Sequence, residues 1–162
     1  MSLGLTYKKR GQNDLSFNYL RKAYNIDSTD LHYMINLAHN SLDRESDWEA
    51  KYYFDRAKLL HPNALKSYQG LIEYYYYTED YMNANKELLS YVDDYPNDEF
   101  AYYLIASING RQKDNIRALK NLGIAFSKGF EDMETLNSDN NLKELLESKE
   151  GKILLQKYSL DK

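Results

Sequence analysis

Histidines are the first residues in this sequence that could support chemistry, because they bind metals and transfer protons near neutral pH. The chain has three, His32, His39 and His61. His32 and His39 are seven residues apart, which is about 10 Å along a helix. Two side chains at that separation cannot both reach one zinc ion at about 2 Å. The sequence therefore predicts no metal site.

Phosphate-binding and nucleophile motifs are missing from the sequence. It contains no G-x-x-x-x-G-K-[ST], no G-x-G-x-x-G and no G-x-S-x-G, and the Gly151-Lys152 pair lacks the rest of a phosphate loop. Carboxylates such as Asp93, Asp94 and Asp98 cluster at predicted helix ends, where they cap helices and complement the helix dipole. We therefore predict that the chain is not an enzyme and carries no cofactor, although it could be a module attached to one.

Composition limits the partners that the chain can bind. Its 162 residues carry a formal charge of −4, whereas nucleic acids and anionic membranes attract clustered Lys and Arg. No stretch of about 20 apolar residues occurs that could insert into a membrane, and no targeting signal indicates a compartment. Only 2 Pro and 7 Gly are present, and apolar residues recur at helical spacing. The sequence thus predicts an all-α protein that binds neither nucleic acid nor membrane.

Residues of one type recur at intervals of 34 positions. The clearest examples are Ala50, Ala84 and Ala118, together with Pro62 and Pro96. At this period the chain divides into blocks that each contain two amphipathic helices, which indicates stacked helix-turn-helix units. Helix starts are expected at the same interval.

Three helix starts are marked by capping residues. Ser46 and Glu49 fit a capping box, in which the two side chains bond to each other's backbone N–H groups. Asn63 and Asn97 follow the prolines and are the predicted N-caps of the next two units.

The repeated pattern resembles the tetratricopeptide repeat family, which alternates small and bulky residues at fixed positions. The matching residues are Leu3, Gly4, Tyr7, Ser16, Leu20 and Ala23 in the first repeat, Met34, Leu37, Ala38, Ala50, Phe54, Ala57 and Pro62 in the second, Tyr68, Leu71, Tyr75, Ala84, Leu88 and Pro96 in the third, and Tyr102, Ile105, Ala106, Ala118, Leu122 and Ala125 in the fourth. The resemblance implies an α-solenoid of antiparallel helix pairs in a right-handed superhelix. Its repeats would span 1–28, 29–62, 63–96 and 97–130, and capping helices would span 131–162.

The third repeat departs from the small-residue pattern at two positions. Ile72 and Tyr91 are large where the family has small residues, and small residues allow helices to approach closely. We therefore expect wider helix separation near Tyr91.

The two ends of the repeat array differ in how they cover their apolar faces. After Phe130 three short helices are expected, near 133–136, 142–146 and 152–158, because terminal repeats need a cap. The predicted covering residues are Leu136, Leu142, Leu145, Leu146, Ile153 and Leu154. The first repeat, with Leu15, Phe17 and Tyr19, has no such cover. An upstream repeat of a larger solenoid, or a homodimer through this repeat, would supply one.

The stretch LIEYYYYTED places four tyrosines in succession, and a helix directs them to different faces. The family resemblance implies that Tyr75 packs in the core and that Tyr76 and Tyr77 line a concave face built by the first helix of each pair. The residues predicted to bind a protein or peptide partner there are Asn36, His39, Lys66, Gln69, Glu73, Tyr76, Tyr77, Phe100, Tyr103 and Ser107. Tyrosine and phenylalanine are suitable anchors, since they bury much area and lose few rotamers. The family's clamp for C-terminal carboxylates is matched only at Asn36 and Lys66, so we do not expect it here.

Overall fold

Helices account for the secondary structure of the chain. In the computed structural model, which describes residues 3–158 and Leu160, the helices are α1 Leu3–Lys9, α2 Asn13–Ile26, α3 Leu31–Asp43, α4 Asp47–Leu60, α5 Leu65–Tyr77, α6 Tyr81–Asp94, α7 Glu99–Arg111, α8 Asn115–Ser127, α9 Met133–Ser138, α10 Lys143–Glu147 and α11 Lys149–Lys157. Within the described residues there is no strand, which confirms the all-α prediction. In that part of the chain, no helix is both long enough and apolar enough to cross a bilayer.

Neighbouring helices pack against each other in chain order. α1 packs on α2, α2 on α3, α3 on α4, α4 on α5, and α7 on α8. Packing divides the chain into two compact units, Met1–Ala84 and Asn85–Lys162, and the boundary lies inside α6. We call them the N-terminal unit and the C-terminal unit. The repeat boundaries at 28, 62, 96 and 130 remain a prediction.

The period of 34 residues is visible in the backbone at the ends of α1, α3, α5 and α7. Each of these helices is followed by a residue with positive φ: Gly11 at 70°, Glu45 at 57°, Glu79 at 57° and Lys113 at 60°. The next residue then donates its N–H back into the last turn, as Asp114 does to the Asn109 carbonyl at 2.9 Å. This is the Schellman arrangement, which satisfies helix carbonyls that otherwise have no partner. It turns the chain sharply into the second helix of each pair.

Small residues allow the helices of the N-terminal unit to pack closely, as the resemblance implied. Ala38, Ala50 and Ala57 are fully buried, and so are the bulky Leu37 and Phe54 between them. At that density each buried methylene contributes about 0.8 kcal/mol to the free energy of unfolding. An exception is Leu3, which was expected inside and is 60% exposed, because it begins α1 at the edge of the unit.

The core of the C-terminal unit combines α7 and α8 with the three short helices. Ala118, Leu122 and Ala125 of α8 form one cluster with Leu136 and Leu142, which lie outside the repeats. The predicted cap helices are present at Met133–Ser138, Lys143–Glu147 and Lys149–Lys157. One covering residue was predicted wrongly: Ile153 is 55% exposed, because α11 turns that side outward.

Of the three predicted helix caps, one was right in position but lacks its predicted bonds, and two were wrong. Ser46 is the N-cap of α4 but makes no side-chain cap bond. The reciprocal bond of the box is also missing, because the Ser46 N–H donates to the Ser41 carbonyl at 2.9 Å and Glu49 accepts from Arg44 Nη1 at 3.1 Å. The N-cap of α5 is Ala64, one residue after Asn63. The N-cap of α7 is Asp98, whose carboxylate accepts from the Ala101 N–H at 3.1 Å, in place of Asn97.

Phe17 of the first repeat is covered within the chain, contrary to the expected open face. It is 4% exposed, with the Arg44 guanidinium 4.2 Å from its ring centroid and the Tyr53 ring at 6.5 Å. Tyr19 stacks on Tyr7 at 5.2 Å. Of the three residues in question, Leu15 is the one that stays largely in solvent, at 44% exposure.

Candidate functional site

The four consecutive tyrosines of α5 occupy a graded series of environments. Tyr74 is 8% exposed and packs on Phe54 at 6.2 Å, Tyr75 is partly buried against the same core, and Tyr76 is partly exposed. Tyr77, the last residue of the helix, is 56% exposed. The run therefore serves both the core and the surface, as the rotation of about 100° per residue requires.

The candidate site in the N-terminal unit is a face formed by α3 and α5. We call it the first-helix face. Its residues are partly or fully exposed, and they are His32, Asn36, His39, Lys66, Gln69, Glu73, Tyr76 and Tyr77. They recur three or four positions apart, so they lie along one side of each helix.

Polar contacts between successive first helices orient the side chains of this face. Lys66 Nζ lies 3.4 Å from His32 Nδ1, and Glu73 Oε1 lies 3.7 Å from His39 Nδ1. At the C-terminal end of α3, an Asp43 carboxylate oxygen forms an ion pair with Lys8 Nζ of α1 at 3.2 Å. Exposed pairs of this kind contribute little stability, so their main effect is on side-chain orientation.

His39 is a partly buried titratable group of the first-helix face. Burial lowers the pKa of His39 below its usual value, the Glu73 carboxylate opposes this, and the Lys8 charge adds to the lowering. The imidazole therefore stays neutral at physiological pH, with its ring edge-on to Phe54 at 5.3 Å. Gly70 makes room for that phenyl ring, since a Cβ there would lie 2.6 Å from Phe54 Cδ1. Among the described residues, no cluster of three or more His, Cys, Asp or Glu could hold a metal ion.

The corresponding positions of α7, in the C-terminal unit, differ in exposure. Phe100 is 46% exposed, whereas Tyr103 is 5% and Ser107 4% exposed. Tyr103 and Ser107 therefore do not offer an open surface, although both were predicted to contact a partner.

Phe130 covers Tyr103 because of the way α8 ends. Gly129 has φ of 104°, and the Phe130 N–H bonds to the Ala125 carbonyl at 3.0 Å, which is again a Schellman turn. This turn brings the Phe130 ring onto Tyr103 with centroids 4.7 Å apart and planes 9° from parallel.

The segment before α10 covers the rest of this side of α7. We call residues 139–142 the C-terminal strap. Tyr103 Oη donates to Asp139 Oδ2 at 3.0 Å, and Asn141 Nδ2 donates to Ser107 Oγ at 3.1 Å. Gly110 permits the contact, since a Cβ on it would lie 2.5 Å from the Asn141 carbonyl oxygen. The chain's own strap thus occupies the surface of α7 that was predicted for a partner.

The sequence contained a signal for this arrangement. Phe130 stands where the family has proline, and Gly110 places a residue without a side chain on the predicted concave face. Asp139 and Asn141 were interpreted only as turn residues, because nothing local relates them to side chains more than 30 positions earlier.

Comparison with known proteins identifies the fold. No protein-family model matches the chain, and no curated protein matches it. Solved structures do match. The crystal structure of MamA aligns with a TM-score of 0.77 at 14% identity, over 98% of this chain and 91% of that chain. PilF of Pseudomonas aeruginosa aligns with a TM-score of 0.76 at 18% identity, over 98% and 72%.

A third match supports the same assignment. MamA from Desulfovibrio magneticus RS-1, residue 41 to the end, aligns with a TM-score of 0.71 at 17% identity, over 99% of this chain and 94% of that chain. MamA and PilF are tetratricopeptide repeat proteins. The predicted resemblance is therefore confirmed at the level of the fold.

Proposed function

We propose that the chain is a non-catalytic protein-binding module, and that its first-helix face receives an extended segment or a helix of a partner protein. The observation that carries the proposal is an exposed Tyr77, at 56%, on a face where polar side chains of neighbouring helices approach each other, as Lys66 Nζ does to His32 Nδ1 at 3.4 Å. A binding surface ordered before the partner arrives loses less entropy on association.

The residues of the face would have two roles. Tyr76 and Tyr77 would anchor the partner by burying aromatic area, which is the usual contribution of tyrosine to interface energy. Asn36, Gln69 and the polar pairs would bond to the partner's backbone and set its direction. The rings of Tyr76 and Tyr81 already pack edge to face, with centroids 5.6 Å apart, and this contact limits the motion of Tyr76 before binding.

Phe100 is 46% exposed and belongs to the C-terminal unit, where we propose it as a separate partner contact of that unit. Tyr103 and Ser107 are left out of the proposed contact set, since the strap and Phe130 cover them. Replacing Tyr103 would therefore disturb folding as well as binding, and it is unsuitable as a probe of the interface.

A pull-down from the source organism's extract tests the proposal. The intact chain is compared with a Tyr76→Ala, Tyr77→Ala double variant, and with Leu59→Ala as a control that removes an apolar side chain, 75% exposed on α4, from outside the first-helix face. We expect the intact chain and the control to retain a protein that the double variant loses. Equal retention by all three would contradict this use of the face.

Assembly through the first repeat is the second candidate, and exposed apolar residues favour it. Leu3 is 60%, Leu15 44% and Ile26 89% exposed on α1 and α2. Light scattering of the intact chain beside Leu15→Asp separates the two functions, because a homodimer through α1 and α2 would become monomeric. Phe17→Asp is the wrong variant for this purpose, since Phe17 is buried.

A further inference from the structure

A pocket lies in the N-terminal unit, on helices other than those of the first-helix face. It is a cavity of about 270 Å³ lined by Arg21, Tyr24 and Asn25 of α2 and by Trp48, Tyr52 and Tyr53 of α4. We call it the outer pocket. Its volume falls just below the range of about 300–1,000 Å³ that small-molecule sites occupy, so it suits one or two side chains of a peptide.

Aromatic rings form both the floor and the rim of the outer pocket. Tyr24 and Tyr53 are 9% and 7% exposed, and their rings meet edge to face at 5.5 Å. Trp48 and Tyr52 are 74% and 50% exposed at the rim, and Tyr52 also packs edge to face on Tyr53, at 5.1 Å. Tryptophan and tyrosine beside a fixed floor are the residue types that contribute most energy to interfaces.

The two charged side chains that line the outer pocket, Arg21 and Glu49, differ in their ion pairing. Glu49, the acidic residue of the lining, is paired with Arg44 Nη1 at 3.1 Å, and Arg44 Nε also binds Asp14 at 2.9 Å. Arg21, by contrast, is not paired with a carboxylate among the ion pairs of the described residues, and its charge acts on Tyr53 of the pocket floor, whose pKa it lowers against the effect of burial. A guanidinium that is not paired with a carboxylate, next to aromatic rings, is complementary to a carboxylate of a ligand, which it can bind through two parallel hydrogen bonds.

We propose that the outer pocket binds a short acidic peptide segment of a partner protein, in which an Asp or Glu neighbours a large apolar side chain. The carboxylate pairs with Arg21, and the apolar side chain inserts between Trp48 and Tyr52 onto the floor made by Tyr24 and Tyr53. This site is independent of the first-helix face, and either can exist without the other.

Selection from a random peptide library tests the proposal without knowledge of the partner. The library is panned on the intact chain, on Trp48→Ala, on Arg21→Glu and on Tyr77→Ala. We expect the intact chain to enrich peptides with adjacent acidic and large apolar residues, and Trp48→Ala to lose them. Arg21→Glu should favour basic residues at the acidic position, because the sign of the charge is reversed, while Tyr77→Ala should leave the enrichment unchanged.

Fluorescence gives a direct measurement, because Trp48 is the one tryptophan of the 162-residue chain. An enriched peptide should shift the Trp48 emission on titration, and its analogue with Asn or Gln in place of the acidic residues should bind more weakly. Tyr52→Ala should weaken the acidic peptide about thirtyfold, as expected for loss of an aromatic hot spot. These residues are exposed, so circular dichroism should show the helicity of the intact chain in every variant.

Several results would overturn the inference. One is a library that yields no enriched acidic peptides, and another is enrichment that persists in Trp48→Ala. Equal affinity for the acidic peptide and its amide analogue would show that Arg21 does not bind the peptide carboxylate. A concentration-dependent Trp48 emission without peptide, together with a dimer in sedimentation, would show that a second copy of this chain occupies the pocket instead. Loss of the enrichment in Tyr77→Ala would assign the peptides to the first-helix face.

Discussion

The surfaces of α5 and α7 carry equivalent repeat positions, but one is open and the other is covered. Gln69 and Glu73 of α5 are exposed, whereas Tyr103 and Ser107, each 34 residues later, are 5% and 4% exposed. The difference comes from the C-terminal strap and Phe130, which lie on α7. A position in a repeat therefore does not determine its own environment, because the elements that follow the last repeat can occupy its surface.

The covered surface also shows how a segment can bind to a first helix of this fold. The strap places Asp139 at Tyr103 Oη and Asn141 at Ser107 Oγ, with distances of 3.0 and 3.1 Å. Its approach depends on a glycine, since a Cβ at Gly110 would meet the Asn141 carbonyl oxygen at 2.5 Å. The residue of α5 that corresponds to Gly110 is Tyr76. A segment therefore cannot approach the first-helix face as closely as the strap approaches α7. A partner there would pack against a tyrosine ring.

The largest expected effect is the difference in stability between a variant of the buried Tyr103 and a variant of the exposed Tyr77. Tyr103→Ala should lower the free energy of unfolding by about 3–5 kcal/mol, because it leaves a cavity beneath Phe130. Tyr77→Ala should change it by about 0.5 kcal/mol or less, as for most surface substitutions. Urea denaturation followed by circular dichroism measures both. Equal stability of the two variants would refute the distinction between the covered and the open surface.

A methyl group at Gly110 should loosen the strap. Gly110→Ala is expected to lower the free energy of unfolding by about 1–3 kcal/mol, because the added Cβ overlaps the strap backbone. Gly123→Ala is the matched control in α8, where a Cβ would lie 3.4 Å from Leu154 Cδ1 in ordinary contact. That change should stabilise the chain by up to about 1 kcal/mol through helix propensity. If Gly110→Ala were also stabilising, the strap would not be closely packed on α7.

Removing one hydroxyl tests the strap contact without creating a cavity. Tyr103→Phe deletes the hydrogen bond to Asp139 and should cost about 1 kcal/mol. Tyr77→Phe serves as the control and should have no measurable effect. Thermal unfolding of the two variants beside the intact chain gives the comparison. An unchanged melting temperature for Tyr103→Phe would mean that ring stacking alone covers this surface.

The smallest expected effect is a pH dependence of stability that comes from His39 on the first-helix face. Because burial lowers the pKa of folded His39 below the ordinary 6.5, the unfolded chain binds more protons at mildly acidic pH. The contribution of His39 to stability is therefore complete above about pH 6.5 and is lost as the pH falls through that value toward the lowered pKa. His39→Gln should weaken this acid dependence in urea titrations. An NMR titration that gave His39 a pKa above 6.5 would reverse the sign and contradict the prediction.

The sequence predicted the positions of the helices well and the contacts of individual side chains less well. The three short helices after Phe130 were expected and are present, because apolar spacing and turn residues are local signals. The capping box at Ser46 did not form, because the Ser46 N–H donates to the Ser41 carbonyl and Glu49 pairs with Arg44, and both contacts depend on the turn that precedes α4. The residues of the first-helix face remain a prediction, and so does wider helix separation near Tyr91.

By itself, the sequence determined the all-helical fold, the period of 34 residues and the small residues that allow close packing, because helical periodicity and side-chain volume are properties of the residues themselves. Tertiary structure decided which surfaces remain open. Tyr77 is exposed and Tyr103 is buried because Gly129 reverses the chain and the strap returns to α7. Contacts between residues more than 30 positions apart depend on the path of the folded backbone, and no local pattern encodes that path.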